Sequence, residues 1–80
     1  MPEEELFKTE ELQTRDAIAD ALVDAADQIR TGNVGLEGTT DTQHVTVPDE
    51  ATFEVELERL TSSETGEQRY ELEYEIRWTE

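Results

Sequence analysis

Arg69-Tyr70-Glu71-Leu72-Glu73-Tyr74-Glu75-Ile76-Arg77-Trp78-Thr79 alternates without a break. Tyr70, Leu72, Tyr74, Ile76 and Trp78 share one parity; Glu71, Glu73, Glu75, Arg77 and Thr79 share the other. Successive side chains of a strand point to opposite faces, so this pattern predicts a half-buried strand with one apolar and one charged face. The stretch before it, Thr52 to Leu60, repeats the pattern, with Phe53, Val55 and Leu57 set against Glu54, Glu56 and Glu58. Ser62-Ser63-Glu64-Thr65-Gly66-Glu67 separates the two. A two-residue turn at Thr65-Gly66 would set Leu57 opposite Tyr74, Val55 opposite Ile76 and Phe53 opposite Trp78. All three pairs are apolar on one face, so turn chemistry and hydrophobic pattern predict the same hairpin.

Toward the N-terminus the period changes. Ile18, Leu22, Ala25 and Ile29 fall at i, i+4, i+7 and i+11, which is one face of a helix over Thr14 to Arg30. Ala21 and Ala26 flank that stripe, and Asp16, Asp20, Asp24 and Asp27 occupy the other sides. Thr14 is the expected N-cap, Asp16 suits the positive end of the helix dipole, and Arg30 followed by Gly32 is a stop signal. Two shorter strands follow, Asn33 to Glu37 and Gln43 to Val47, around a Gly38-Thr39-Thr40-Asp41 turn; Pro48 ends the second. Glu5 to Leu12, carrying Leu6, Phe7 and Leu12, is read as a short strand ahead of the helix. The expected fold is therefore α+β: one amphipathic helix packed on one face of a mostly antiparallel four- to five-stranded sheet, in the order β-α-β-β-β-β. Eighty residues predict a single domain over 1–80.

Composition bounds the function. There are 22 acidic residues against 6 basic ones, a formal net charge of −16, and no cysteine. The last point removes disulfides, thiolate metal sites and thiol catalysis. Five of the six basic residues are arginine, and Lys8 is the one lysine. High charge with few apolar residues produces disorder. Here the apolar residues keep strict periods, so the acidity reads as a surface suited to concentrated salt. Glu71, Glu73 and Glu75 would stand ~7 Å apart along a strand, a repulsion well screened only near ~1 M salt. No apolar run approaches the ~20 residues of a membrane span, and the acidic opening lacks the features of a secretory signal. The expected compartment is the cytoplasm.

Pro2-Glu3-Glu4-Glu5-Leu6-Phe7-Lys8, Phe53-Glu54-Val55-Glu56-Leu57-Glu58 and Glu71-Leu72-Glu73-Tyr74-Glu75-Ile76-Arg77-Trp78 together resemble the amphi-Trp domain. That family comprises small proteins common in haloarchaea, named for an amphipathic stretch ending in a tryptophan; Trp78 is the matching residue here. The resemblance covers essentially the whole chain. It implies a halophilic archaeal cytoplasm, and it brings no catalytic residues to carry over.

No constellation predicts an enzyme. His44 is the one histidine, its parity puts it on a polar strand face, and nothing places a nucleophile beside it. Gly32, Gly35, Gly38 and Gly66 lack the spacing of either nucleotide-binding loop. Asp41 and Asp49-Glu50 do not form a calcium loop, and no metal or other cofactor is expected. The face carrying Glu54, Glu56, Glu58, Glu71, Glu73 and Glu75 reads as a solvated acidic surface that holds monovalent cations loosely. Nucleic acid and anionic membranes both require the opposite charge. What remains is association. So short a chain has little apolar burial to set against its conformational entropy. A 17-residue helix spans ~25 Å where an 11-residue strand spans ~36 Å, so part of the Tyr70–Trp78 face is left for a partner. The expected interface is Tyr74, Ile76 and Trp78, in a homodimer or against another protein. The alternative is an acidic decoy that occupies a basic surface.

Overall fold

The computed structural model describes residues 3–80; Met1 and Pro2 of the acidic opening lie outside the described residues. Among the described residues there is one helix and there are four strands, all pairing antiparallel, so the α+β reading and the order of helix then strands hold. Two differences are plain. The segment before the helix carries no strand, and the four strands form two two-stranded ladders in place of one sheet. The chain accordingly divides into two units, Met1–Asp49 and Glu50–Glu80.

The first unit holds the helix α1 (Arg15–Thr31), β1 (Asn33–Glu37) and β2 (Thr42–Thr46). The Thr14 hydroxyl accepts a hydrogen bond from the Ala17 amide at 3.1 Å, the N-cap expected from the sequence. Asp16 lies in the first turn and Arg30 in the last, each matching the sign of the helix end it occupies. Gly32 closes the helix with φ 88°, its amide donating to the Ile29 carbonyl at 3.0 Å. The chain then turns straight into β1. Gln28 fastens helix to strand, its side-chain carbonyl accepting from the Gly35 amide at 2.7 Å. Val34 faces Val45 across the β1–β2 ladder, and Gly35 faces His44. A Cβ at position 35 would stand 3.2 Å from the imidazole ring, so glycine there lets the ring lie over the strand. The Gly38 amide donates to the Asp41 carbonyl at 2.7 Å, which confirms the expected turn.

The missing first strand has a local explanation. Glu3 to Gln13 sets Leu6 beside Phe7 and Leu12 five residues on, so it lacks the alternation that gives β3 and β4 their apolar face. Leu6 and Leu12 stand exposed, whereas the Phe7 ring rests beside Gly38 at the β1–β2 turn. One aromatic anchor replaces a ladder.

The second unit is the hairpin of β3 (Thr52–Thr61) and β4 (Gln68–Arg77). Its faces are those read from the sequence, but its register is not. Phe53 faces Ile76, Val55 faces Tyr74 and Leu57 faces Leu72, each partner two residues nearer the turn than expected. The cause is the turn. A tight two-residue turn at Thr65-Gly66 would demand positive φ at Thr65, which a β-branched residue resists. The chain instead forms the longer loop Ser62–Glu67. In it the Ser62 amide donates to the Glu67 carbonyl at 2.8 Å, and Gly66 alone takes positive φ, at 76°. The Ser62 and Thr65 hydroxyls accept from the Thr65 and Glu67 amides at 3.4 and 3.2 Å. A slip of two residues preserves parity, so the apolar face survives intact.

No described side chain is fully buried. A two-stranded ribbon has one neighbour on each rung and nothing of its own above its apolar face, and ribbons of this kind are marginal in water by themselves.

Candidate functional site

The hairpin presents two chemically opposite faces. On one, Phe53, Val55, Leu57, Leu72, Tyr74 and Ile76 form three directly opposed apolar pairs, followed toward the turn by Arg59 opposite Tyr70. The Phe53 and Tyr74 rings lie diagonal to one another and stack, with centroids 6.2 Å apart and planes within 7°. Trp78 follows β4 by one residue, keeps the parity of Ile76, and is half-buried. The expected interface residues Tyr74, Ile76 and Trp78 thus fall on one continuous face. The sequence reading also put Phe53, Val55, Leu57 and Leu72 on this face, but singled out only Tyr74, Ile76 and Trp78 because it expected the helix to cover the rest. Tyr74 is more than half exposed, and its ring stacks on Phe53.

The other face is a ladder of glutamates. Glu54 opposes Glu75, Glu56 opposes Glu73 and Glu58 opposes Glu71. Directly opposed like charges destabilise a sheet, because their Cβ atoms stand only ~5 Å apart. Arginines relieve the two ends. Arg77 donates to Glu54 at 2.6 Å and pairs with Glu75 at 3.4 Å; Arg69 pairs with Glu71 at 3.3 Å. Glu56 and Glu73 in the middle, and Glu58 beside Glu71, are left without a cation.

Titration follows this arrangement. The Arg77 hydrogen bond and charge hold the Glu54 carboxyl below its usual range. Hydrogen bonding to Glu58, and then the Glu58 charge, push Glu56 up to about 7. The two shifts act on stability in opposite senses. Glu56 gains affinity for its proton on folding, so its contribution is fully present below 4.5 and is lost as pH rises through about 7. The Glu54 contribution is present above 4.5 and is lost as pH falls through its depressed value. The hairpin should therefore become more stable as pH falls from about 8 to about 5, and less stable in stronger acid. Glu56→Gln should flatten the first slope and spare the second. Amide-exchange protection of Val55 and Leu57 against pH measures both; an unchanged slope in the variant would locate the titrating group elsewhere.

His44 stands exposed on β2 opposite Gly35, beside Gln28 in a shallow hollow of the first unit. Among the described residues no cluster of three or more histidine, aspartate or glutamate side chains has the geometry of a metal site. No helix among the described residues is long and apolar enough to cross a membrane.

No curated protein and no solved structure matches the chain. A family model described as the Amphi-Trp domain matches residues 1–80, spanning both units and ending past the alternating segment that Trp78 closes. The chain belongs to the Amphi-Trp domain family.

Proposed function

We propose that this protein is a non-catalytic assembly module that associates through the apolar face of its β3–β4 hairpin, most simply as a homodimer. The observation that carries the reading is the continuity of that face and the exposure of most of it, Ile76 and Trp78 at its open end being half-buried. Phe53 is 62% exposed, Val55 54%, Leu57 68%, Tyr70 60%, Leu72 58% and Tyr74 55%. With aromatic side chains offering 150–250 Å² each and the aliphatic ones somewhat less, this is roughly 700 Å² of accessible surface. A standard interface buries about 800 Å² per partner, and a contiguous apolar patch of this size on a soluble protein marks an interaction site.

The glutamate ladder supports a second reading, an acidic decoy for a basic protein surface. Arg77 pairs with Glu54 and Glu75 and Arg69 with Glu71, which neutralises part of both end rungs and leaves Glu56, Glu58 and Glu73 without a cation. Salt separates the two. Apolar association strengthens as repulsion between copies is screened, whereas decoy binding weakens. Sedimentation from about 0.5 to about 2 M KCl is expected to show a growing species of twice the 9.1 kDa chain mass, and Ile76→Glu to return it to monomer. A clean monomer at millimolar concentration in high salt would sink the assembly reading, and the decoy would lead.

A further inference from the structure

The geometry points to a specific occupant of the apolar face: the same face of a second copy, stacked sheet on sheet with the turn of each hairpin over the open end of the other, so that Arg59 and Tyr70 of one copy cover Trp78 of its partner. This rests on the assembly reading and adds to it an orientation and a selecting residue.

Three observations lead there. The first is area. Roughly 700 Å² on one side is close to what a stable two-fold interface uses, and the face is a ladder of opposed apolar pairs, as the inner face of a two-sheet sandwich is. The second is charge. Within the ladder of β3 and β4 the apolar face carries a single charged residue, Arg59, while every glutamate of the two strands lies on the opposite face. Stacking the apolar faces therefore keeps the two acidic ladders on the outside, as far apart as two ribbons allow. Edge-to-edge pairing would instead place them side by side in one sheet.

The third observation fixes the orientation. Counting rungs from Trp78 to the Arg59–Tyr70 pair, the middle one is Val55–Tyr74. A two-fold axis through that rung gives two arrangements. With both turns at the same end, the two Arg59 guanidiniums come within about one sheet spacing, ~10 Å, on a surface holding no carboxylate. With the turns at opposite ends, each Arg59 moves away from its counterpart and onto the rung of the partner's Trp78. A guanidinium over an indole is the strongest of the cation–π pairs, and it gains when water is excluded. Arginine, tyrosine and tryptophan are also the residues that dominate interface energetics. Arg59 is thus assigned a role that a surface arginine in a net −16 chain would not need.

The test uses the absence of cysteine, which makes any introduced thiol unique. Ser63→Cys places a spin label in the exposed hairpin loop, eight residues beyond Val55. At ~3.3 Å per residue, turns at opposite ends predict a label-to-label distance of roughly 50 Å, and turns together predict less than about 20 Å. In parallel, Arg59→Ala should weaken dimerisation about ten-fold, while Arg69→Ala, at the same end of the hairpin but on the acidic face, leaves it unchanged. A dimer with the short distance, or one that Arg59→Ala leaves equally tight, overturns the inference and spares the assembly reading. A monomer whose single tryptophan is shielded from water overturns both, since the face is then covered within one chain.

Discussion

In about 0.1 M salt the protein is expected to fold weakly or not at all, and above about 1 M it should unfold in one cooperative transition. The structure sharpens the reason. Along one strand the glutamates stand ~7 Å apart, but across the β3–β4 ladder Glu54, Glu56 and Glu58 face Glu75, Glu73 and Glu71 directly, at ~5 Å between Cβ atoms. That spacing lies inside the ~8 Å screening length of physiological salt and outside the ~3 Å length at 1 M. The middle rung, Glu56 with Glu73, has no arginine and depends on solution ions alone. Because the hairpin encloses no core of its own, it has little apolar burial to oppose this repulsion. Circular dichroism melts from 0.1 to 2 M KCl measure the effect, and a midpoint that does not move would refute this account of the charge. Replacing Glu56 and Glu73 together by glutamine should recover much of the fold at low salt.

Trp78→Ala is expected to weaken self-association by about 2–4 kcal/mol, on the order of a hundred-fold in dissociation constant, as loss of a large aromatic anchor does. Trp78 is half-buried within the single chain, so part of its indole remains to be covered. Its emission should consequently move to the blue as concentration or salt rises, in step with the mass seen by sedimentation. An emission maximum indifferent to concentration across the dimerisation range would mean that the indole lies outside the interface. Being the one tryptophan, it reports without background.

The sequence made some of this legible and concealed the rest for identifiable reasons. Helix α1 was readable nearly to the residue because its signals are local: Thr14 caps it, Gly32 stops it, and four apolar residues keep one face. The faces of β3 and β4 were equally readable, since parity survives any even slip. Register was not, because it is decided where Thr65 resists positive φ and two hydroxyls stabilise a longer loop. The expectation of one continuous sheet failed at the level of ladder pairing. Alternation shows that a strand has an apolar side and does not show which strand lies beside it. The candidate surface was largely visible: parity placed Phe53, Val55 and Leu57 on one face with Tyr74, Ile76 and Trp78, and only the rungs that join them awaited the ladder.

The opposed glutamates carry a consequence for how growth of any assembly ends. A ribbon with unpaired backbone along both sides is a template for fibril formation, since each open edge invites another strand. A third strand recruited to this ribbon in the same alternation would extend every Glu–Glu rung into a row of carboxylates spaced ~4.8 Å apart, and each added strand would lengthen the row. Sideways polymerisation thus meets a rising electrostatic barrier, while closure through the oily side keeps the two glutamate ladders apart and is finished after one partner. The opposed glutamates that should weaken the ribbon in dilute solution are the same ones that should oppose its growth into amyloid.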